Sequence, residues 1–439
     1  MTDTQSETRV GNYFVSNYPP YSFWKAAQRE AVDSVLTRTP PDPKDNLPLG
    51  IYVHIPFCRK RCDFCYFKVY TDKNSKEIRR YISGVVRELE LFAQMPYLRG
   101  RKPSFVYFGG GTPSYLSADQ LQELFAGVQK SFAWDDVDEV AFECEPGTLS
   151  EVKLQALYDL GVTRLSLGVE NFDPEILEWN NRAHRADEIH RTYDFARKIG
   201  FDQVNIDLIA GMVGESDENW SRCIDKTIAM APESVTIYQM EVPYNTTLFK
   251  QMKERGADAA PVADWDTKRR WTQQAFARLQ KEAGYHMGSA YTASHGDRIR
   301  FVYRDALWRG ADMLGAGVSS FSHLSGVHFQ NEHTFDAYVD RIEKGEIPIS
   351  RAFSLTEDEL FLREFILQMK FGDLGMAYFR DKFGVDPLKR FASELQGFVD
   401  QGLLLLGGDR IRATPDGLLR IDEMLHSFFL EEHRNARYA

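Results

Sequence analysis

Hydrophobic positions follow two alternating patterns between residues 50 and 241. Short apolar runs of strand length alternate with longer segments in which apolar residues recur every three or four positions. Runs of the first kind lie near 50–56, 103–108, 138–144, 163–169, 203–209 and 234–241, and segments of the second kind lie near 76–94, 118–132, 149–160, 186–199 and 217–230. Strands that alternate with amphipathic helices are typical of a parallel sheet with crossover helices. The pattern therefore predicts an α/β domain.

The pattern changes at both ends of this region. Residues 1–49 are polar and contain the proline cluster TPPDPKDNLP, which predicts an N-terminal extension and linker. The α/β domain is expected over residues 50–290. Beyond Pro348, residues 351–432 contain amphipathic helices and the hairpin-like segment LLLLGGDRIRAT, which predict a second, mostly helical domain. Residues 433–439 are expected to form a frayed tail.

Composition and charge exclude several classes of protein. The chain has 439 residues, of which 43% are hydrophobic and 27% charged, as in an ordinary globular protein. Its formal net charge of -11 argues against a general nucleic-acid or membrane-surface binder, because polyanions would repel it. No apolar run is long enough to span a membrane, and the N-terminus lacks the apolar core of a signal peptide. We therefore expect a cytoplasmic protein.

Three of the five cysteines lie close together at the end of the first predicted strand. Cys58, Cys62 and Cys65 have the spacing C-x3-C-x2-C, with the basic segment RKR between the first two. A structural zinc site is normally closed by four ligands, whereas three thiolates can hold three irons of a 4Fe-4S cluster and leave the fourth iron open. The spacing thus favours an iron–sulfur cluster with a reactive iron. A zinc loop completed by a distant ligand such as His54 is the alternative.

Glycines and carboxylates follow the next predicted strands. The segment GGGTP, residues 109–113, comes directly after the second strand, where glycines let backbone approach a ligand closely. Glu143 ends the third strand, and Asp207 lies inside the apolar fifth strand. A buried carboxylate is costly unless it is paired or binds something. These residues are candidate ligand contacts, with a plain turn and a buried salt bridge as the alternatives.

Seven segments in order resemble one family. YVHIPFC, CDFC, YFGGGTPSYL, ECEP, RLSLGVE, NNRAH and NIDLIAG are similar to the oxygen-independent coproporphyrinogen III oxidase-like family of the radical S-adenosylmethionine (SAM) superfamily. The resemblance runs from about residue 50 to the C-terminal segment. It implies a partial (β/α)6 TIM-like barrel with a winged-helix-like C-terminal domain, and a 4Fe-4S cluster whose open iron is chelated by SAM.

The resemblance also implies site residues. Contacts to SAM would come from Tyr52, Phe64, Gly110, Gly111, Thr112, Glu143, Glu170, Arg182 and Asp207. Glu170 stands where many members have glutamine. The segment WRGADMLGAG places Trp308, Arg309 and Asp312 near the substrate and, in some members, a second SAM molecule. Residues 291–350 would then form a substrate-pocket extension, with Glu241 as a further tentative substrate contact.

The implied activity is reductive cleavage of SAM to a 5'-deoxyadenosyl radical, with an external one-electron donor such as flavodoxin or ferredoxin. Phe67 occupies the position where true coproporphyrinogen oxidases have a further cysteine. We therefore favour two-SAM radical C-methylation, or a related modification of a flat, apolar, aromatic or tetrapyrrole-like substrate. Coproporphyrinogen oxidation and haem delivery by a chaperone are the alternatives. For the chaperone, His295, His323 and His328 are candidate axial ligands.

Overall fold

Six parallel strands in sequence order form the centre of the structure. The structure is a computed structural model and describes residues 14–42, 47–256, 259–296 and 299–434. The strands are β1 (Leu49–Ile55), β2 (Phe105–Gly110), β3 (Glu139–Cys144), β4 (Arg164–Glu170), β5 (Gln203–Ala210) and β6 (Ser234–Gln239). Helix α1 (Arg29–Leu36) precedes them, and α2 (Ser75–Ala93), α3 (Ala118–Ser131), α4 (Glu151–Asp159), α5 (Pro174–Trp179), α6 (Ala186–Ile199) and α7 (Asp217–Met230) connect them. The α/β class predicted from periodicity is confirmed.

Further strands extend this sheet on both sides. After β6 come α8 (Thr247–Arg255), α9 (Trp265–Ala283), β7 (His286–Met287), β8 (Thr292–Ser294), α10 (Val302–Trp308), β9 (Asp312–Ala316), β10 (Phe321–Leu324), β11 (Val327–Asn331), α11 (Phe335–Glu343) and β12 (Ile349–Ser354). Strand β9 pairs in parallel with β1, and β8 pairs antiparallel with β6. The described strands run from β12 at one edge to β7 at the other, so the sheet is open, as expected for a partial barrel.

Local sequence signals fix the helices that cover the sheet. Asn74 caps α2 by accepting hydrogen bonds from the backbone N–H groups of Lys76 and Glu77, and Ser117 caps α3 through Gln120. The covered face carries stacked aromatic rings, including Phe108 on Phe125 with a centroid distance of 4.4 Å. The strand residues that face these helices are apolar, whereas alternate positions such as Asn205 and Asp207 on β5 are polar.

The C-terminal residues build a second core. Its elements are α12 (Glu357–Met369), β13 (Asp373–Gly375), α13 (Ala377–Phe383), α14 (Pro387–Arg390), α15 (Ala392–Asp400), β14 (Leu404–Gly407), β15 (Arg410–Ala413), α16 (Pro415–Leu419) and α17 (Ile421–Leu425). Phe365 lies at the centre of this core and contacts the rings of Phe379, Phe391 and Phe428. The three short strands form one antiparallel sheet. The arrangement agrees with the expected helical domain.

The N-terminal segment is packed against both cores. Residues 14–28, here called the N-terminal strap, bury Val15 and Tyr18 in the C-terminal core. Lys25 pairs with Ala352 of β12 through backbone hydrogen bonds of 2.9 and 3.1 Å. The N-terminal extension is therefore packed where the structure describes it, and proline content alone does not show which aromatic side chains find partners. Residues 1–13 lie outside the described part of the chain.

The expected tail is also partly packed. His433 is 2% exposed and its ring lies against that of Tyr18, with a centroid distance of 5.3 Å. Residues 435–439 lie outside the described residues. The proposed domain boundaries stay a prediction, since β9 to β12 continue the sheet that β1 begins. Among the described residues, no helix is both long and apolar enough to cross a membrane.

A buried ion pair joins the strap to the C-terminal core. Nζ of Lys370 lies 3.1 Å from Oδ1 of Asp422 and donates to the carbonyl oxygen of Val15 at 2.5 Å. We expect Lys370→Met to destabilise the protein by about 3–5 kcal/mol, because it leaves the Asp422 carboxylate buried without a cation. The measurement is the urea midpoint by circular dichroism. As control, Lys102→Met removes an exposed partner of Asp136 and should leave the midpoint unchanged.

Candidate active site

The cysteine loop is held at its base by the backbone. It follows β1, and the N–H of Tyr70 donates to the carbonyl of Pro56 at 2.8 Å while the N–H of Cys58 donates to the carbonyl of Tyr70 at 3.1 Å. Cys58 is buried, and Cys62 and Cys65 are partly buried. The three thiols therefore project from one closed loop at the carboxyl edge of the parallel strands.

Hydrogen-bond donors approach two of these sulfurs. Oγ1 of Thr112 donates to Sγ of Cys58 at 3.2 Å, and Nη1 of Arg182 donates to Sγ of Cys62 at 3.3 Å. Burial raises the pKa of Cys58 to about 12 and that of Cys65 to about 11. Metal binding must then displace protons from these thiols, and nearby donors stabilise the thiolates that result. Three cysteines on one loop, two of them with such donors, fit a 4Fe-4S cluster with one open iron.

A zinc site at the cysteine loop would need a fourth ligand beside the three sulfurs. Within the described residues, no histidine, further cysteine or carboxylate completes a compact four-ligand cage around the three sulfurs. Nδ1 of His54 instead lies 3.0 Å from Oη of Tyr52, and burial lowers the pKa of His54 to about 4. His54 is thus a neutral residue that orients the Tyr52 hydroxyl beside the glycine segment.

The glycine segment lies directly over the cysteine loop. The N–H of Gly110 donates to Oε2 of Glu143 at 2.9 Å, and Oη of Tyr107 donates to Oε1 of the same carboxylate at 2.7 Å. Gly110 has φ of 121°, and a Cβ there would lie 2.6 Å from the His54 ring. Burial raises the pKa of Glu143 to about 7. The glycines are required because backbone, carboxylate and thiol share this narrow space.

Arg182 connects the cysteine loop to the end of β4. Its Nη2 donates to the carbonyl of Gly168 at 2.6 Å and lies 3.5 Å from Oε1 of Glu170. Burial raises the pKa of Glu170 to about 7, while Arg182 opposes that rise. Glu170 has φ of 63°, which is uncommon for a residue with a side chain. Nε of Arg182 is buried and has no hydrogen-bond partner among the described residues, so one donor is available to an anionic group.

Asp207 belongs to a network of neutral polar groups. It accepts hydrogen bonds from Oγ of Ser166 at 2.7 Å and Nδ2 of Asn205 at 2.8 Å, and burial raises its pKa. Asn205 in turn accepts from Ser234 and Thr236. The described ion pairs include none to Asp207, so the structure does not show the salt bridge that was the alternative. A carboxylate with two donors keeps lone pairs for ligand hydroxyls.

Ser166 and Asn205 are site residues that the sequence did not single out. The sequence nevertheless contains a signal for both residues. Asn205 is two positions before Asp207 and Ser166 is four positions before Glu170, so in an extended strand each has the parity of a residue that was predicted to contact SAM. Polar residues at alternate positions of an otherwise apolar strand indicate that this face of the strand contributes to a site. Glu145 was also not singled out as a contact; it pairs with Arg59 at 3.0 Å beside the cysteine loop.

Aromatic residues face the same space from the other side. Tyr238 exposes 41% of its surface at the end of β6, and Tyr66 on the cysteine loop exposes 37%. Burial raises the pKa of Tyr238, and the carboxylates of Asp207 and Glu143 raise it further. The accessible surface of Tyr238 therefore lies near Asp207, Glu143 and Tyr66, and the space between these side chains is here called the cavity. Phe64 packs with Met212 and Met240 near this side.

Glu241 lies where the N-terminal strap meets this cavity. Its Oε1 accepts the backbone N–H of Phe14 at 2.5 Å, and burial raises its pKa to about 8. The ring of Phe14 contacts those of Tyr238 and Tyr291, with centroid distances of 6.4 and 5.1 Å. The strap thus contributes an aromatic side chain to the cavity wall.

The structure corrects the expectation for Asp312. This residue begins β9 beside Leu49, at the opposite end of the sheet from the cysteine loop. It is 1% exposed and pairs with Arg101 at 2.6 Å, while Tyr97 donates to it at 2.7 Å. Asp312 therefore stabilises the sheet and does not line the cavity. The segment WRGADMLGAG does not show by itself whether Asp312 lies at the amino or the carboxyl end of its strand.

Trp308 and Arg309 also lie away from the cysteine loop in their described contacts. The Trp308 ring packs on Phe371 with a centroid distance of 4.8 Å. The guanidinium of Arg309 lies 4.8 Å from the centroid of the same ring, and Tyr378 donates to the Arg309 carbonyl at 2.9 Å. These contacts join α10 to the C-terminal domain, and the expectation that both residues line the substrate pocket stays a prediction.

Comparisons with known proteins agree with this site. Residues 52–226 match the Radical SAM superfamily, and residues 355–420 match the HemN C-terminal domain. An oxygen-independent coproporphyrinogen III oxidase from Synechocystis sp. is 28% identical over 394 residues, covering 85% of this chain and 83% of that protein. The heme chaperone HemW from Bacillus subtilis is 25% identical over 382 residues, covering 87% of this chain and 99% of that protein.

A solved structure shares the whole fold. Coproporphyrinogen III oxidase (HemN) from Escherichia coli has a TM-score of 0.81 at 23% identity, covering 94% of this chain and 96% of that chain. An open parallel sheet with three cysteines at its carboxyl edge agrees with the Radical SAM match over residues 52–226. Together with the HemN C-terminal domain match, this chain is similar over 85% of its length to an oxygen-independent coproporphyrinogen III oxidase of the HemN-like kind. The Radical SAM match implies a 4Fe-4S cluster and SAM as cofactors.

The glycine segment provides a test of the site geometry. In Gly110→Ala, the new Cβ meets the His54 ring and adopts a strained φ, so the segment must move away from Cys58 and Glu143. We expect the cluster to be retained about tenfold less well, which iron and sulfide analysis after anaerobic reconstitution measures. Gly397→Ala is the matched control, because a Cβ at that helical position meets no atom within 4 Å. Equal iron content in the two variants would contradict the described packing.

Proposed function

We propose that this protein reductively cleaves SAM at a 4Fe-4S cluster on Cys58, Cys62 and Cys65, and that the radical formed acts on a tetrapyrrole-like substrate. The observation that carries the proposal is that these three cysteines, Arg182 and Asp207 all follow or end parallel strands at one edge of the sheet, where Arg182 donates to Sγ of Cys62. When bound, the cluster supplies the electron that breaks a carbon–sulfur bond of SAM, giving methionine and a 5'-deoxyadenosyl radical. An external one-electron donor such as flavodoxin or ferredoxin would restore that electron.

The protein residues bind and orient SAM. The free Nε donor of Arg182 suits the SAM carboxylate. The backbone of Gly110 and Gly111, with Glu143 behind it, suits the ammonium group. Asp207 retains lone pairs for the ribose hydroxyls, and Thr112 and Tyr52 complete the wall beside the cysteine loop. Together these groups support the binding of one SAM molecule.

The cavity wall fits a flat, partly apolar substrate. Phe14, Tyr66 and Tyr238 offer aromatic faces, and Glu241 offers one carboxyl group. Relatives of the chain are named coproporphyrinogen III oxidase or heme chaperone, both of which handle tetrapyrroles. These comparisons give no support to the earlier preference for two-SAM methylation. Coproporphyrinogen III is therefore the first substrate to test.

Haem delivery is the second candidate. Phe67, which is 47% exposed, replaces the additional cysteine of the oxidases, and the match to the heme chaperone spans 99% of that protein. Of the candidate axial ligands, His323 and His328 are buried with their Nδ1 atoms 3.1 Å apart, so neither is free to bind iron. His295 is exposed and is the one that remains.

The proposal predicts SAM consumption that depends on the cluster. Reconstituted protein reduced with dithionite should release 5'-deoxyadenosine, and Cys58→Ala should abolish that release, because the cluster loses one of its three ligands. Mass spectrometry of the anaerobic mixture measures the product. Cys223→Ala is the control, since Cys223 is a buried cysteine of α7 outside the cysteine loop. Equal product from Cys58→Ala and wild type would refute the proposal.

The same mixtures distinguish the candidate substrates. Loss of coproporphyrinogen III together with 5'-deoxyadenosine would support oxidation. Stoichiometric haem binding without SAM consumption, abolished by His295→Ala, would support the chaperone. Formation of S-adenosylhomocysteine alongside 5'-deoxyadenosine would instead indicate methyl transfer and exclude both tetrapyrrole functions as the main activity.

A further inference from the structure

Two carboxylates and a histidine converge far along the chain from the cysteine loop. Glu359 lies in the first turn of α12, and Glu432 and His433 lie in the 3-10 turn Glu431–His433. Nε2 of His433 is 3.7 Å from Oε1 of Glu359 and 3.8 Å from Oε1 of Glu432. The three ligand atoms lie within 4.8 Å of one another. Glu359, Glu432 and His433 are here called the carboxylate–histidine cluster.

The charge of this cluster is not balanced by the protein. Oε2 of Glu359 accepts from the backbone N–H and the hydroxyl of Thr356, which caps α12. Oε1 of Glu359 faces Nε2 of His433 at 3.7 Å, and the residue is 4% exposed. No lysine or arginine among the described residues lies within 4.0 Å of either carboxylate. A bound cation would therefore supply the opposite charge that these two carboxylates lack.

His433 has the environment of a metal ligand. Its Nδ1 lies 2.8 Å from Oη of Tyr18, which fixes the ring, and its Nε2 faces the two carboxylates at distances longer than a hydrogen bond. A metal-bound histidine is usually held in this way, with its other ring nitrogen fixed by a hydrogen bond.

We propose that Glu359, Glu432 and His433 bind one divalent transition metal ion, for which zinc is the best-matched probe. Ligands about 2.1 Å from one zinc ion stand about 3.4 Å apart in a tetrahedron. The two distances from Nε2 of His433, 3.7 and 3.8 Å, are a few tenths of an ångström longer than this, and the two glutamate oxygens, which lie within 4.8 Å of each other, must come closer by at most about 1.4 Å. The Glu432 side chain is 71% exposed, so an ion can enter from solvent on this side and the carboxylate can move toward it. Water would fill the remaining position.

Such an ion has a structural consequence. It fastens the C-terminal turn to α12 and, through the bond between His433 and Tyr18, to the N-terminal strap. Phe23 of the strap also contacts the His433 ring, with a centroid distance of 4.5 Å. The strap carries Phe14 into the cavity wall, so the ion would stabilise one side of the substrate cavity without contacting SAM or the cluster.

The test uses the full chain with its 4Fe-4S cluster reconstituted, so that zinc does not occupy the cysteines. Protein is titrated with zinc chloride, freed of excess metal, and analysed for zinc per chain and for its thermal midpoint. Wild type should retain one zinc per chain and show a higher midpoint with zinc. Glu432→Gln should bind zinc about tenfold more weakly, because a neutral amide is a poor ligand. Glu431→Gln, its exposed neighbour, is the matched control and should behave as wild type.

Glu432→Gln is the decisive variant, because replacing an exposed side chain should not prevent folding. The folded forms of His433→Gln and Glu359→Gln should also fail to retain zinc. The proposal is overturned if wild type with an intact cluster retains no zinc, or if Glu432→Gln retains it as tightly as wild type. It is equally overturned if Glu359→Gln lowers the thermal midpoint but binds zinc normally, since Glu359 would then act as a helix cap alone.

Discussion

The pairing of Arg182 with buried negative groups is the interaction on which the site depends. Although burial lowers its pKa, the charges of Cys62, Glu170 and Glu145 raise it overall, so the guanidinium stays charged. Around it, burial raises the pKa of Glu143, Glu170 and Asp207. One fixed cation cannot neutralise all of these carboxylates. A ligand with positive charge and hydroxyl groups, as SAM has, would relieve the cost of burying them.

The parallel sheet makes this concentration of charge possible. The carboxyl ends of β1 to β5 meet at one edge, so residues far apart in sequence share one small volume. Helices pack on one face of the strands. On the other face, which the helices do not cover, the strands contribute polar residues. The scaffold thereby fixes Arg182 and Asp207 before any ligand binds, which lowers the cost of orienting SAM.

The other wall of the cavity is built by parts remote from the sheet. Phe14 reaches it from the N-terminal strap, and Lys370 and Asp422 anchor that strap within the C-terminal core. The nitrogen of Lys370 also lies 3.9 Å from the centroid of the Phe14 ring. This wall therefore combines residues from separate regions of the chain, whereas the three cysteines, Arg182 and Asp207 belong to the parallel strands and the loops that follow them.

Sequence by itself determined the strands and helices of the α/β region, because apolar periodicity reports which faces are buried. It also determined the three-cysteine loop, the glycine segment and Asp207, since their chemistry is unusual at those positions. Only the tertiary structure decided that Asp312 stabilises the opposite end of the sheet, that Ser166 and Asn205 support Asp207, and that the strap and His433 are buried. Local sequence encodes burial and chemistry, but the partner of a polar side chain depends on which distant residues the fold brings within hydrogen-bonding distance.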